Sequence, residues 1–278
     1  GHEYDFRVSV MPTVHGEKVA LRILDKSAGA LPFETLGYGG MQRDQLVAAL
    51  ARPHGLLLIT GPTGSGKSTT LFTALDHVNE PGMNIVTLED PVEYQIPGVN
   101  QTHVNPDICL TFATGLRSIL RQDPDIIMVG EIRDLETAAL AVHAALTGHL
   151  VLSTLHTNDA VGSVPRLFDM GVEPFLLSAI LRLVGAQRLV RRLCARCKVS
   201  VPIPPAIRDT LKRELEPVPS SEKGEENQRV PNVLYQGKGC AECGGTGSIG
   251  RMAIVEVVPV TEELRDAIAR RATHDEFR

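Results

Sequence analysis

Aromatic side chains are scarce in this sequence. It has no tryptophan, and the three aromatic residue types together make up 4% of its 278 residues. It carries 28 basic residues against 33 acidic ones, which gives a net charge of −5. Proteins that hold single-stranded nucleic acid rely on stacked aromatic rings in a positively charged groove. We therefore expect no nucleic-acid partner.

Long apolar runs are also missing. A membrane-spanning helix needs roughly 18 or more apolar residues in succession, and no stretch of the chain approaches that length. We therefore expect no direct membrane insertion. The first residues, "GHEYD", do not resemble a secretory signal, which favours a cytoplasmic location. Because the sequence has no initial methionine, we expect it to begin inside a larger protein.

Four of the five cysteines form two Cys-x-x-Cys pairs, Cys194 with Cys197 and Cys240 with Cys243. Without an export signal, such pairs favour metal binding over disulfides. Two pairs can place four thiolates around one Zn²⁺ and leave no open coordination position, which indicates a structural zinc site. A redox role is the alternative, but no thioredoxin-like context surrounds either pair.

Patterning divides the chain into regions. Residues 4–24 alternate in the manner of two strands joined by a turn, which predicts a hairpin. Two strands alone are not stable, so we interpret residues 1–30 as the C-terminal part of an earlier domain. The Gly- and Pro-containing stretch 31–40 predicts a linker.

Residues 41–190 alternate between helix and strand patterns. The strands "GLLLIT", "NIVTLED", "DIIMVGE" and "HLVLST" are rich in aliphatic residues, which is typical of a parallel sheet covered by helices on both faces. The amphipathic stretch 174–193 predicts a helix that leads into the cysteine pairs. Within the remaining region, 191–278, the polar stretch 216–232 predicts a flexible loop. "RMAIVEVV" and "TEELRDAIARR" then predict a closing strand and helix.

A complete phosphate-loop motif, G-x-x-x-x-G-K-[ST], follows the first of these strands and precedes a helix. Its glycines let backbone N–H groups converge on phosphate oxygens, and the helix N-terminus adds partial positive charge. In such loops the lysine reaches the β/γ-phosphates and the serine binds Mg²⁺. An ordinary glycine turn is the alternative, which the full motif in its context disfavours. The motif predicts a nucleotide site formed by Gly61, Pro62, Thr63, Gly64, Ser65, Gly66, Lys67, Ser68 and Thr69.

Polar residues end three further strands, namely Glu89, Glu131 and His156. Ligands of parallel sheets bind outside the carboxyl ends of the strands, so we expect all three residues near the phosphate loop. Gly130 stands where an aspartate is common, so a metal role falls to Glu131. Each residue has a plainer alternative: a solvated turn for Glu89, a surface acid for Glu131 and a structural histidine for His156.

Four motifs together, "GPTGSGKSTT", "TLEDPVEY", "DIIMVGEIRD" and "TGHLVLSTLHTNDA", resemble those of the secretion and pilus-assembly ATPases. The resemblance covers nearly the whole chain. It implies an α/β fold with a RecA-like P-loop NTPase core and a parallel sheet in 41–190. The end of a small N-terminal α+β domain would precede this core, and a zinc-binding tetracysteine lobe (194–243) would follow it. Retraction ATPases resemble the core but lack that lobe, which favours the secretion or extension branch.

The same resemblance implies roles for single residues. Glu89 would activate water, Glu131 would coordinate the metal and His156 would sense the γ-phosphate, while Arg7 and Arg22 would reach the phosphates from the N-terminal domain. Surface salt bridges are the plainer alternative for the arginines. The implied ligands are ATP, Mg²⁺ and Zn²⁺. The implied assembly is a homo-hexamer that acts on an inner-membrane platform protein and is bound by a cytoplasmic recruitment protein, which would make it peripheral at the inner membrane.

The sequence thus predicts an ATP-hydrolysing motor of a type II secretion system or a type IV pilus assembly machine. Three alternatives stay open. The first is a RecA-like nucleic-acid translocase, which the shortage of aromatic residues disfavours. The second is a pilus retraction ATPase. The third is a nucleotide-binding scaffold that does not hydrolyse its ligand and docks a partner through the zinc lobe.

Overall fold

A computed structural model describes residues 4–25, 31–215, 231 and 233–277. Two compact units are distinguished within them. The first contains the described residues up to Leu189 and those from Ala253 onward, and the second runs from Val190 to Met252. No helix in the described ranges is long and apolar enough to cross a membrane.

The helices and strands follow the chain in a largely alternating order. The strands are β1 (Tyr4–Thr13), β2 (Gly16–Asp25), β3 (Gly55–Thr60), β4 (Ile85–Glu89), β5 (Asn100–His103), β6 (Ile126–Val129), β7 (Leu150–Leu155), β8 (Leu181–Leu193), β9 (Lys198–Pro202), β10 (Val233–Gly237) and β11 (Ser248–Pro259). The helices are α1 (Phe33–Leu36), α2 (Gly40–Leu50), α3 (Lys67–Val78), α4 (Phe112–Ile119), α5 (Leu135–Leu146), α6 (Ser163–Asp169), α7 (Pro174–Ile180), α8 (Pro205–Leu215) and α9 (Glu262–Ala269).

The central sheet has seven strands in the order β11-β8-β3-β7-β6-β4-β5. From β8 to β5 all neighbouring strands pair in parallel. Every residue of β3 and β7 is buried, as the continuous aliphatic runs predict for strands covered on both faces. The predicted α/β fold with a parallel sheet is confirmed.

Successive side chains of β3 point to opposite faces of the sheet and enter two separate cores. Leu56 and Leu58 of β3 pack with residues of α4, α5 and α7 on one face of the sheet. Leu57 and Ile59 pack with residues of α1, α2 and α3 on the other face. Each fully buried leucine contributes about 1.5–3 kcal/mol of hydrophobic stabilisation, so both faces hold β3 rigidly below the loop that follows it.

The hairpin predicted for residues 4–24 is present. β1 and β2 pair antiparallel, with Phe6 opposite Ile23 and Arg7 opposite Arg22. The predicted linker, 31–40, contains α1 and the buried rings of Phe33 and Tyr38. Its assignment as a linker and the other domain boundaries remain predictions. Apart from Pro231, the polar stretch 216–232 lies outside the described residues.

The helix predicted for 174–193 is wrong beyond Ile180. Only α7 is helical, and the chain continues as the strand β8. Gly185 weakens a helix, and it suits the strand because a Cβ atom there would lie 3.0 Å from Cδ1 of Ile59 on β3. Pairing with the buried strand β3 therefore overrides the helical periodicity. The closing strand and helix were predicted correctly, as β11 and α9.

Candidate nucleotide site and metal centre

The phosphate-loop residues connect β3 to α3. Gly61, Gly64 and Gly66 have φ values of +142°, +77° and +91°, a region that side-chain-bearing residues rarely adopt. In the part of the chain that the structure describes, no side chain caps the N-terminus of α3, so its first N–H groups are left for a ligand. The loop therefore has the backbone geometry of an anion site.

Lys67 is buried in the first turn of α3. Its Nζ atom donates to the carbonyl oxygens of Gly61 at 2.9 Å and of Pro62 at 3.2 Å. Burial lowers the pKa of Lys67, and the nearby negative charge of Glu131 opposes that shift. The ammonium thus folds back over the loop, where phosphate oxygens could replace these two carbonyls as acceptors. Ser65 Oγ is buried and has no hydrogen-bond partner among the described residues, whereas Ser68 is exposed.

The strand ends expected near this loop share its edge of the sheet. Glu131 follows β6 and His156 follows the adjacent β7, and His156 Nε2 lies 3.5 Å from Glu131 Oε2. The other oxygen of Glu131 pairs with Arg133. Thr154 donates from its hydroxyl to the Gly130 carbonyl at 2.7 Å, which fixes the turn that presents Glu131. Both oxygens of Glu131 thus face nitrogen atoms, and a cation or water bound there would take the place of one of these partners.

Glu89 ends β4 and is half-buried. Its Oε1 atom accepts hydrogen bonds from Thr87 Oγ1 at 2.6 Å and from Gln101 Nε2 at 3.0 Å. Burial raises the pKa of Glu89, and these two hydrogen bonds partly oppose the shift. A carboxylate with a raised pKa and a fixed orientation has the properties of a general base. The main-chain N–H of Gly130 donates to the Leu88 carbonyl at 2.8 Å, so the ends of β4 and β6 are directly joined.

The predicted arginines lie on the hairpin. Arg7 is 3.9 Å from Glu93, in the segment after Glu89, and the exposed Arg22 is its cross-strand neighbour. Of the hydrogen bonds and ion pairs among the described residues, none joins either guanidinium to the phosphate loop. Their role at the phosphates remains a prediction.

Sequence reasoning missed two glutamines. Gln101 on β5 orients Glu89 and also donates to the Tyr94 carbonyl at 2.9 Å. Gln187 on β8 is 2% exposed, and its amide donates to the Ser65 carbonyl within the phosphate loop at 2.8 Å. The one available signal was an uncharged polar residue within an apolar stretch, which Gln187 provides and Gln101, on the polar strand β5, does not. The assignment of 174–193 to a helix concealed it for Gln187.

The four paired cysteines of the second unit meet at one point. Their sulfur atoms all lie within 4.8 Å of one another, and three of the separations are 3.7, 3.8 and 3.9 Å. Four thiolates about 2.3 Å from one Zn²⁺ in tetrahedral geometry would be separated by about 3.8 Å, so the cluster fits that ion. The predicted tetracysteine lobe is thus present, and the identity of the ion remains a prediction.

Backbone N–H groups also point at the cluster. Those of Cys240 and Gly247 donate to Cys243 Sγ at 3.1 and 3.2 Å. These bonds, led by that of Cys240, lower the pKa of Cys243 to about 6, whereas burial raises the pKa of Cys197 to about 11. N–H donation to sulfur stabilises a thiolate, which is the form of cysteine that binds zinc.

The chain has a RecA-like core with a phosphate loop at the carboxyl edge of its parallel sheet. This arrangement is the P-loop NTPase fold. The family described as "Type II/IV secretion system protein" matches residues 1–278. The chain therefore belongs to the type II/IV secretion system protein family.

Individual relatives agree with this assignment. The chain is 50% identical to the type II secretion system ATPase E of Vibrio cholerae over 272 residues, which are 98% of this chain and 52% of that protein. It is 52% identical to the type IV pilus assembly ATPase PilB of Thermus thermophilus over 266 residues, which are 96% of this chain and 29% of that protein. The chain thus spans about half the length of the secretion ATPase and a smaller share of the longer pilus protein.

A solved structure shows the same fold. The crystal structure of the pilus retraction motor PilT with bound ADP superposes with a TM-score of 0.67 at 31% identity. The match covers 96% of this chain and 63% of PilT. PilT is less similar in sequence than ATPase E or PilB, although it shares most of the described architecture.

Proposed function

We propose that the chain is the ATP-hydrolysing part of a motor for type II secretion or type IV pilus assembly, which converts ATP and water into ADP and phosphate. The observation that carries the proposal is that a complete phosphate loop and three strand-end residues, Glu89, Glu131 and His156, share one edge of the sheet. The names of the secretion and pilus relatives at 50% and 52% identity support the same role.

Phosphate binding, metal binding and proton transfer are assigned to different residues. The N–H groups of the phosphate loop and the Lys67 ammonium bind the phosphates, and the ammonium leaves the carbonyls of Gly61 and Pro62 for phosphate oxygens. Ser68 and Glu131 would hold Mg²⁺, which when bound neutralises charge on the β- and γ-phosphates. Glu89 accepts a proton from the attacking water.

Further groups act on the charge that develops during phosphoryl transfer. His156, beside Glu131, donates to a γ-phosphate oxygen. Arg7 and Arg22 supply permanently charged guanidinium groups from the hairpin when it closes on the site. Arginines in this role elsewhere contribute about 10³–10⁵ in rate, so hydrolysis would depend on the position of the hairpin.

The proposed setting follows from the resemblance of the four motifs to the secretion and pilus-assembly ATPases. The chain acts within a homo-hexamer at the cytoplasmic face of the inner membrane, with a platform protein and a recruitment protein of the machine as partners. Secretion or pilus assembly is favoured over retraction because identity is 50% to ATPase E and 52% to PilB but 31% to PilT. We propose Zn²⁺ as the ion of the tetracysteine lobe, where it has a structural role.

Phosphate release from ATP and Mg²⁺ tests the proposal. We expect Lys67→Ala to lower the rate at least about 100-fold, because a buried cation on the phosphates is lost. Lys212→Ala, an exposed lysine on α8, serves as the control and should leave the rate unchanged. Equal rates for wild type and Lys67→Ala would refute the proposal. Stimulation of about tenfold by single-stranded DNA would favour a nucleic-acid translocase instead.

A further inference from the structure

The side chain of Gln187 joins three separate segments around the phosphate loop. Its Nε2 atom donates to the Ser65 carbonyl at 2.8 Å. Its Oε1 atom accepts from Thr70 Oγ1, in the first turn of α3, and from the hydroxyl of Tyr38, each at 3.0 Å. All of these bonds are buried, and a buried polar group that loses its hydrogen-bond partner lowers the free energy of unfolding.

Gln187 also lies against both ends of the phosphate-loop motif. A Cβ atom added to Gly61 would lie 2.4 Å from the main-chain oxygen of Gln187. One added to Gly66 would lie 3.1 Å from its Nε2 atom. The loop thus rests on β8 at its first and last glycines, and the amide holds its middle through Ser65.

The direction of the Ser65 carbonyl determines what the loop offers a ligand. An anion site needs N–H groups turned inward, and carbonyl oxygens turned inward would repel phosphate. The Gln187 amide holds the Ser65 carbonyl on the β8 side of the loop.

Tyr38 connects this arrangement to the segment between the hairpin and α2. The residue is fully buried and its ring packs edge-on against Phe33, with centroids 6.0 Å apart. Burial raises the pKa of Tyr38, so the phenol stays protonated and can donate to Gln187. Movement of the 31–40 segment would therefore act on the amide that holds the loop.

We propose that Gln187 is a positioning residue that sets the phosphate loop for nucleotide, and that Tyr38 couples the 31–40 segment to it. The inference rests on the proposed function, because it assumes that the loop binds the phosphates of ATP. It adds a residue from β8, far from the loop in sequence, to the determinants of nucleotide affinity.

Gln187→Met tests the proposal, because methionine keeps the shape of glutamine and removes its hydrogen bonds. We expect the KM for ATP and the Kd for ADP to rise about tenfold, with kcat within about twofold of wild type, since ground-state phosphate binding is lost. Gln42→Met, on the exposed face of α2, is the control and should leave both values unchanged. Unfolding temperatures without nucleotide are measured for each variant.

A purely structural role would lower the unfolding temperature of Gln187→Met and leave its Kd for ADP at the wild-type value, and that result would overturn the proposal. Should Gln187→Met fail to fold, Tyr38→Phe removes one hydroxyl and is expected to weaken ADP binding about threefold. An unchanged Kd in Tyr38→Phe would refute the coupling to the 31–40 segment. Absence of ADP binding by the wild-type chain would instead count against the proposed function.

Discussion

Nε2 of His156 lies 3.5 Å from Oε2 of Glu131, across the ends of the adjacent strands β7 and β6. The opposite oxygen of the carboxylate pairs with Arg133. Glu131 also acts electrostatically on Lys67 of the phosphate loop. The Glu131 carboxylate therefore interacts with both Lys67 and His156. The charge on a bound nucleotide would act on these three residues together.

His156→Ala tests whether the imidazole acts on the terminal phosphate. We expect kcat for phosphate release to fall about 10- to 100-fold, as for loss of one preorganised donor. The Kd for ADP should stay unchanged, because ADP has no γ-phosphate. His143→Ala, at an exposed position of α5, is the matched control. Equal weakening of ATP and ADP binding by His156→Ala would show that the histidine has no specific role at the γ-phosphate.

Glu89→Gln is expected to separate activity from stability. Turnover should fall about 10²–10⁴-fold with loss of the general base. Burial raises the pKa of Glu89 in the folded chain, so ionisation of this carboxyl opposes folding. The contribution of Glu89 to the free energy of unfolding is therefore largest when the carboxyl is protonated in both the folded and the unfolded state. That contribution is lost as the pH rises through the folded-state pKa. The variant should therefore gain stability over wild type at pH 7.

Urea unfolding at neutral and acidic pH checks the sign of this effect. The advantage of Glu89→Gln should disappear near pH 4, since glutamine and a protonated carboxyl are then alike in charge and can accept the same hydrogen bonds from Thr87 and Gln101. Glu80→Gln, an exposed position, should change little at either pH. A variant less stable than wild type at pH 7 would contradict the account of Glu89.

Local patterns in the sequence were enough to predict the sheet and the edge that carries the site. The aliphatic runs of β3 and β7 indicated buried parallel strands, and parallel strands bring their carboxyl ends to one edge. The placement of Glu131 and His156 at that edge therefore followed from strand direction. Their 3.5 Å separation depends on side-chain rotamers and on the Thr154 bond to Gly130, which no periodicity encodes.

Contacts between distant segments could not be predicted in this way. Gln187 and Ser65 are 122 positions apart, and Gln187 and Tyr38 are 149 apart. Their meeting depends on β8 pairing with β3, which the helical periodicity of 174–193 concealed. The same pairing places Gly185 against Ile59. One error in secondary structure therefore prevented the prediction of the contacts that β8 makes with β3 and with the phosphate loop.

Cys240→Ser tests the metal centre. We expect the chain to be purified with about one Zn²⁺ per molecule and the variant to hold almost none, because a closed four-thiolate site loses a ligand. The free energy of unfolding of the second unit should fall by several kcal/mol, given apparent zinc-binding energies of roughly 10–16 kcal/mol. Cys109→Ser, an exposed cysteine outside the cluster, should keep its metal. Equal metal loss in both variants would contradict a site made by the four paired cysteines.

Gly61→Ala tests the close approach of the phosphate loop to β8. An added Cβ atom would lie 2.4 Å from the main-chain oxygen of Gln187 and 2.6 Å from Ser65 Oγ, at a φ of +142°. Gly61 directly follows β3 and Gln187 lies on β8, so neither backbone can move away without disturbing the sheet. We therefore expect a loss of at least about 3 kcal/mol in unfolding free energy and of measurable ADP binding. Gly82→Ala is also at a positive φ, +98°, with nothing within 4 Å of its Cβ atom, so it should cost only about 1 kcal/mol of backbone strain. Similar losses in the two variants would mean that strain alone, rather than contact with Gln187, requires glycine at position 61.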